Sequence, residues 1–233
     1  MSRLADAIQW LVSAVARLQR PRRARPAVRP GARGLAAVPR GRAAPDPIAH
    51  VGAFVQPDQT TCGSATLVVA RMLNDPGYAA RVLGSDPADL RAWFAREALS
   101  MHRRTNRCWP LFWGTTPRAV ARQMSRRVDG SGVAGAAYFV RYVDAKDRGG
   151  VFDAITRAVG DGHATPVYTY DVRNGRRLSG AHVTLAIQTS GAGLLIYDPA
   201  RGAIVAVTRQ AFCDARLEGA LGWDRPAAAV LPR

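Results

Sequence analysis

Cys62, His182 and Asp198 have the side chains and the surroundings for nucleophilic chemistry. Cys62 opens a run, Cys62 to Leu73, whose apolar residues Ala65, Leu67, Val68, Val69, Met72 and Leu73 follow helical spacing. The first turn of a helix leaves N–H groups unpaired and carries the positive end of the macrodipole. A cysteine placed there is stabilised as the thiolate, its nucleophilic form. Gly63 is expected to leave the helix start uncrowded for a substrate backbone. His182 opens a β-branched run 120 residues later, in Gly180-Ala-His182-Val183-Thr-Leu185, and Asp198 closes the next run, Leu195-Ile-Tyr197-Asp198-Pro199. Hairpin strands set the end of one beside the start of the other. Asp198 would then orient the imidazole, and His182 would take the thiol proton. Gln56, six residues before Cys62, would turn its side-chain amide toward a developing oxyanion.

Each of these residues also has a purely structural reading. A Cys-Gly pair is commonly a small step at a helix start, a histidine on an apolar strand a satisfied core group, and Asp-Pro a turn. Their joint order carries the argument: glutamine, helix-starting cysteine, strand histidine, strand-ending aspartate. The other histidines read as structural. His163 precedes Pro166-Val167 at a helix-to-strand turn, His102 beside Arg103 and Arg104 reads as a solvated face, and His50 has no visible partner. Trp93, Trp109 and Trp113 read as packing residues. No His-Glu-x-x-His spacing or phosphate-binding glycine loop occurs, so neither a metal nor an organic cofactor is expected.

The elements that must position these groups read as helices first and strands later. The turn signal Asn74-Asp75-Pro76-Gly77 ends the cysteine helix. Ser85 or Asp86 would cap a second helix, with Pro87 in its first turn and Leu90, Trp93, Phe94 and Leu99 inward. Thr116-Pro117 opens a third helix through about Arg126, and Gly150 to Val159 forms another, stopped by Gly160 and Gly162. Strands are expected at 136–142, 165–171, 182–189, 193–198 and 203–207. The last four are split by Asn174-Gly175, Gly191-Ala192 and Arg201-Gly202, short connections of the kind that join antiparallel hairpins.

Charge divides the chain. Of 33 Lys+Arg only Lys146 is a lysine, and the net charge is +16. Residues 1–45 hold ten arginines against Asp6. Leu4, Ile8, Leu11, Val15 and Leu18 share one helical face, so 1–19 reads as an amphipathic helix. The Arg/Pro-rich stretch 20–45 reads as a disordered, self-repelling linker, and 46–233 as the globular domain. The N-terminal stripe could lie on an anionic membrane surface, pack on a protein, or end as a signal peptide near Ala14-Val15-Ala16. No apolar run approaches the roughly 18 residues of a spanning helix. The expected location is cytoplasmic or peripheral at a membrane, with export left open. Nucleic acid is not an expected partner, because no stacking aromatics interleave with the arginines. Cys108 and Cys213 would be able to pair after export.

Gln56-Pro-Asp-Gln-Thr-Thr-Cys62-Gly63-Ser-Ala65 resembles the nucleophile box of the papain-like peptidases that trim double-glycine leaders from bacteriocins, peptidase family C-thirty-nine, and of their stand-alone relatives. The segments Gly162-His163-Ala-Thr-Pro166-Val167, Gly180-Ala-His182-Val183 and Tyr197-Asp198-Pro199-Ala-Arg-Gly202 resemble the same family, over about residues 50–215. Thr61 stands where leader-processing members usually carry an acid, and no attached transporter is expected. The resemblance implies an α+β, papain-like fold: a helical lobe bears the cysteine and an antiparallel sheet lobe bears the histidine and aspartate. It implies a cysteine hydrolase cleaving a peptide or amide bond in a peptide or protein substrate, with nucleophile Cys62, general base His182, orienting Asp198 and oxyanion residue Gln56. Two other functions fit the residues: acyl transfer to an amine on the same triad, and a non-catalytic basic interaction module. Residues 101–116 and 172–181 are the loops expected to shape substrate binding.

Overall fold

A computed structural model describes residues 46–84, 87–126, 136–173, 176–177, 181–191 and 193–233. The helix expected at 1–19, the linker at 20–45, the caps Ser85 and Asp86, the turn Asn174-Gly175, Gly180 and Ala192 lie outside the described residues.

The fold is α+β. After a 3-10 turn at Pro47–Ala53 come helices α1 (Cys62–Asn74), α2 (Pro76–Leu83), α3 (Pro87–Thr105) and α4 (Pro117–Met124). Strand β1 (Tyr138–Tyr142) and helix α5 (Arg148–Gly160) lead into β2 (Thr165–Tyr170) and a two-strand ribbon, β3 (Val172–Arg173) with β4 (Arg176–Arg177). The chain ends in β5 (His182–Ser190), β6 (Gly193–Asp198), β7 (Ala203–Thr208), short helices α6 (Arg209–Cys213) and α7 (Glu218–Leu221), and β8 (Arg225–Pro232). Six strands form one antiparallel sheet in the order β1-β8-β2-β5-β6-β7.

Alternate strand residues serve two cores. Tyr168, Val183, Leu185, Tyr197, Ala228 and Val230 join the core built with α1 to α4. Val167, Ala186, Ile196, Ala229 and Leu231 join the core built with α5, α6 and α7. With both faces covered, β2 has five consecutive buried residues from Thr165 to Thr169 and shows no polar alternation. Among the described residues no helix is long and apolar enough to cross a membrane.

Three local readings change. The signal at Asn74–Gly77 starts a helix as well as stopping one: Asp75 accepts the Tyr78 N–H at 2.8 Å, and Pro76 fills the first helical position, where no intrahelical donor is needed. Helix α3 continues to Thr105, with Ala98 and Met101 in the core and Leu99 only half-buried. Strand β8, which lies between β1 and β2, was not expected at all.

Candidate active site

Asp58 shapes the approach to α1. Its carboxylate accepts the Thr60 N–H (2.7 Å) and hydroxyl (2.8 Å), and its carbonyl accepts the Thr61 hydroxyl at 3.0 Å. Burial pushes the Asp58 carboxyl up, but these bonds and the nearby His102 hold it below the usual range. The Ala65 N–H and the Ser64 hydroxyl then both bond the Thr61 carbonyl, at 2.8 and 2.9 Å. Thr61 caps α1 with no side-chain hydrogen bond. The helix therefore begins at buried Cys62 with first-turn amides that no side chain claims.

Gly63 has a different purpose from the one expected of it. A Cβ there would stand 2.9 Å from Cβ of Thr115 and 3.6 Å from Val183. The missing side chain makes room for the protein's own Thr115, where a substrate backbone was expected.

His182 and Asp198 are brought together by the β5–β6 hairpin. Leu185 pairs with Tyr197, and both residues lie an odd number of positions beyond that pair toward the same sheet end, so they share a face. His182 Nε2 donates to Asp198 Oδ1 at 2.7 Å, with the side chains 4% and 1% exposed. The same oxygen accepts the Ala200 N–H at 3.0 Å, while Arg201 Nε stands 3.6 Å from Oδ2. The Asp198–Gly202 turn is closed by the Gly202 N–H on the Asp198 carbonyl, 2.9 Å. Gly202 has φ +59, and a Cβ there would fall 2.7 Å from Val55, so only glycine suits the turn.

Cys62 stands close enough to the His182 ring to raise its proton affinity. Burial alone would push the imidazolium down, but the Asp198 and Cys62 bonds and charges outweigh it and raise the group to about 9. The Trp223 ring stacks on the imidazole, with centroids 5.8 Å apart and planes 14° from parallel.

Gln56 belongs to the same neighbourhood through its backbone, whose N–H donates to the Pro199 carbonyl at 2.8 Å. Its side-chain Nε2 donates to the Asp58 carbonyl at 2.7 Å, which uses one of the two amide hydrogens. The structure thus gathers Cys62, His182 and Asp198 directly and ties Gln56 to the turn that carries the aspartate.

Several other residues differ from their expected places. His102 is buried at 4% exposure, not solvated. Its Nε2 donates to the Leu111 carbonyl at 3.0 Å, and the Asn106 amide reaches Nδ1 at 3.1 Å and Thr115 Oγ1 at 3.0 Å. The Tyr168 hydroxyl donates to the Thr115 carbonyl at 2.9 Å, and burial first, then the Cys62 charge, pushes this phenol well up. Thr115, pressed on Gly63, thus joins the histidine of α3 to the start of α1. The step of four along α3 (Leu90, Phe94, Ala98, His102) marks this histidine as inward-facing. For Trp223 no sequence signal stands out. Trp113 is 40% exposed, so it is not the packing residue expected. His163 accepts the Thr165 hydroxyl on its carbonyl (3.1 Å) as a turn residue, and His50 is exposed. Cys108 and Cys213 are free thiols and form no disulfide. Among the described residues no cluster of three His, Cys, Asp or Glu side chains could hold a metal.

No protein-family model matches the sequence, and no curated protein is significantly similar to it.

Proposed function

We propose that the protein is a papain-like cysteine hydrolase that cleaves a peptide or amide bond through Cys62, His182 and Asp198. The single observation behind this reading is the buried His182 ring, held on Nε2 by the Asp198 carboxylate at 2.7 Å and near enough to the helix-starting Cys62 to have its proton affinity raised by it. In the reaction His182 takes the thiol proton, and Cys62 Sγ attacks the carbonyl carbon. The oxyanion forms beside the first-turn amides of α1, with the free hydrogen of the Gln56 amide as a further donor. An imidazolium raised to about 9 keeps its proton at neutral pH until the leaving amine takes it. The C–N bond then breaks and leaves a thioester on Cys62. Water, deprotonated by His182, attacks the thioester and releases the acid and the thiol. Trp223 covers the ring and shields the His182–Asp198 bond from solvent, which strengthens it.

The test is labelling by a thiol-directed electrophile, followed by peptide mapping, alongside turnover of the Cys62→Ala variant on a peptide-library substrate. Labelling of Cys62 ahead of the exposed Cys108, and loss of all cleavage in the variant, are expected. Preferential labelling of Cys108, or cleavage by the variant at the native rate, would reject the assignment.

A further inference from the structure

Three consecutive large apolar residues are presented to solvent after α3: Leu111, Phe112 and Trp113 are 43%, 71% and 40% exposed. The Trp113 ring meets Phe112 edge-on at 5.4 Å and Trp109 at 5.2 Å, so the rings form one patch. Single exposed apolar residues are ordinary on soluble proteins, whereas a contiguous patch marks a surface that is covered in use.

The patch is held out by a braced turn. His102 donates to the Leu111 carbonyl, Asn106 to Thr115, and the Trp113 and Gly114 N–H groups bond the Pro110 and Leu111 carbonyls, each at 3.1 Å. Four buried or closing bonds therefore oppose the burial of these rings against the domain itself.

Charge around the turn indicates what covers it. Arg103, Arg104 and Arg107 are exposed at its foot. Arg104 is tied to Glu97 at 2.8 Å, and Arg103 and Arg107 have no carboxylate partner among the described residues. Exposed apolar rings, preceded in the chain by guanidinium groups without a carboxylate, suit an anionic bilayer, whose acyl boundary takes the rings and whose phosphates take the arginines. We propose that the turn at 109–113 is a membrane-docking element that inserts Leu111, Phe112 and Trp113 at the surface of an anionic membrane. A Cβ on Gly114 would lie 3.4 Å from the Thr60 carbonyl, and Thr115 packs on Gly63, so docking would hold the start of α1 close to the lipid surface.

The experiment uses the full chain with Trp10→Phe, so that residues 1–45 contribute no tryptophan, and vesicles of phosphatidylcholine with or without about one third phosphatidylserine. Sedimentation gives partitioning, and acyl-brominated lipid reports tryptophan insertion. Phe112→Ser with Trp113→Ser should weaken partitioning to the anionic vesicles about tenfold or more. It should also remove most of the bromine quenching while leaving the thermal unfolding midpoint unchanged. Equal partitioning of the variant and its parent would overturn the proposal and place membrane affinity on another basic surface. Absence of binding by the parent would overturn it too. So would unchanged vesicle binding with a raised KM for a soluble peptide, which would make the turn a substrate subsite.

Discussion

Two buried histidines lie near the start of the cysteine helix, and they differ in what they are bonded to. His182 and His102 are 3% and 4% exposed, so both are equally buried. His182 is bonded to a carboxylate and stands near the Cys62 thiol. His102 is bonded to a main-chain carbonyl and a carboxamide. Burial alone therefore does not make an imidazole a proton carrier. The carboxylate lets one ring hold a proton that burial would expel, while neutral partners let the other serve as a bracket between α3 and the turn at Leu111.

Alanine at each position breaks the comparison most sharply. His182→Ala should lower kcat/KM by about three orders of magnitude or more, since it removes the group that moves the proton. His102→Ala should leave kcat/KM within about tenfold at low temperature. Its cost belongs to stability: about 2–3 kcal/mol in urea unfolding, from a buried side chain removed and the Asn106 amide left short of a partner. Similar activity losses in the two variants, measured under conditions where both are folded, would mean that the partner chemistry does not separate their roles.

Asp198→Asn is the next largest effect and acts on the partner alone. The base stays in place with its orientation weakened, so kcat/KM should fall by about two orders of magnitude, less than for His182→Ala. The carboxylate is a main cause of the raised His182 value, so its loss lowers that value. The alkaline limb of the kcat/KM profile, expected near 9 in the native protein, should move toward neutral pH. A limb that stays in place would show that Asp198 does not set the proton affinity of the ring.

The hairpin that joins His182 to Asp198 was legible because β5 is rich in β-branched residues, β6 is an apolar run and the connection is short, and pairing parity then places both residues on one face. Strand β8 was not legible. Arg225-Pro-Ala-Ala-Ala-Val-Leu-Pro232 has weak strand propensity and a proline near each end, yet Ala228 and Ala229 are fully buried between β1 and β2. Pro226 is accommodated where the register slips opposite Tyr168 and Thr169, so tertiary pairing overrides local preference there. Helix α2 was hidden for a related reason, since a proline can open a helix as readily as follow one, and only the Asp75 cap distinguishes the cases. Around the site the cysteine, histidine and aspartate were legible from chemistry, whereas Thr115, Asn106 and Trp223 reach it only through the chain's return in space.

The smallest effect concerns stability and uses the same pair. His182 is raised from 6.5 to about 9 in the folded protein. A raised basic group binds its proton more tightly when folded, so its contribution is fully present below about 6.5 and is lost as pH rises through about 9. The window therefore lies on the alkaline side, and between pH 7 and 9 the unfolding free energy should fall by about 2 kcal/mol from this group. The Asp198→Asn protein, which lacks the carboxylate, should lose most of that slope. Unfolding by urea at several pH values from 6 to 10, on both proteins, measures the difference directly. Parallel curves for the two would assign the alkaline slope to other groups and remove His182 as the proton-holding member of the comparison.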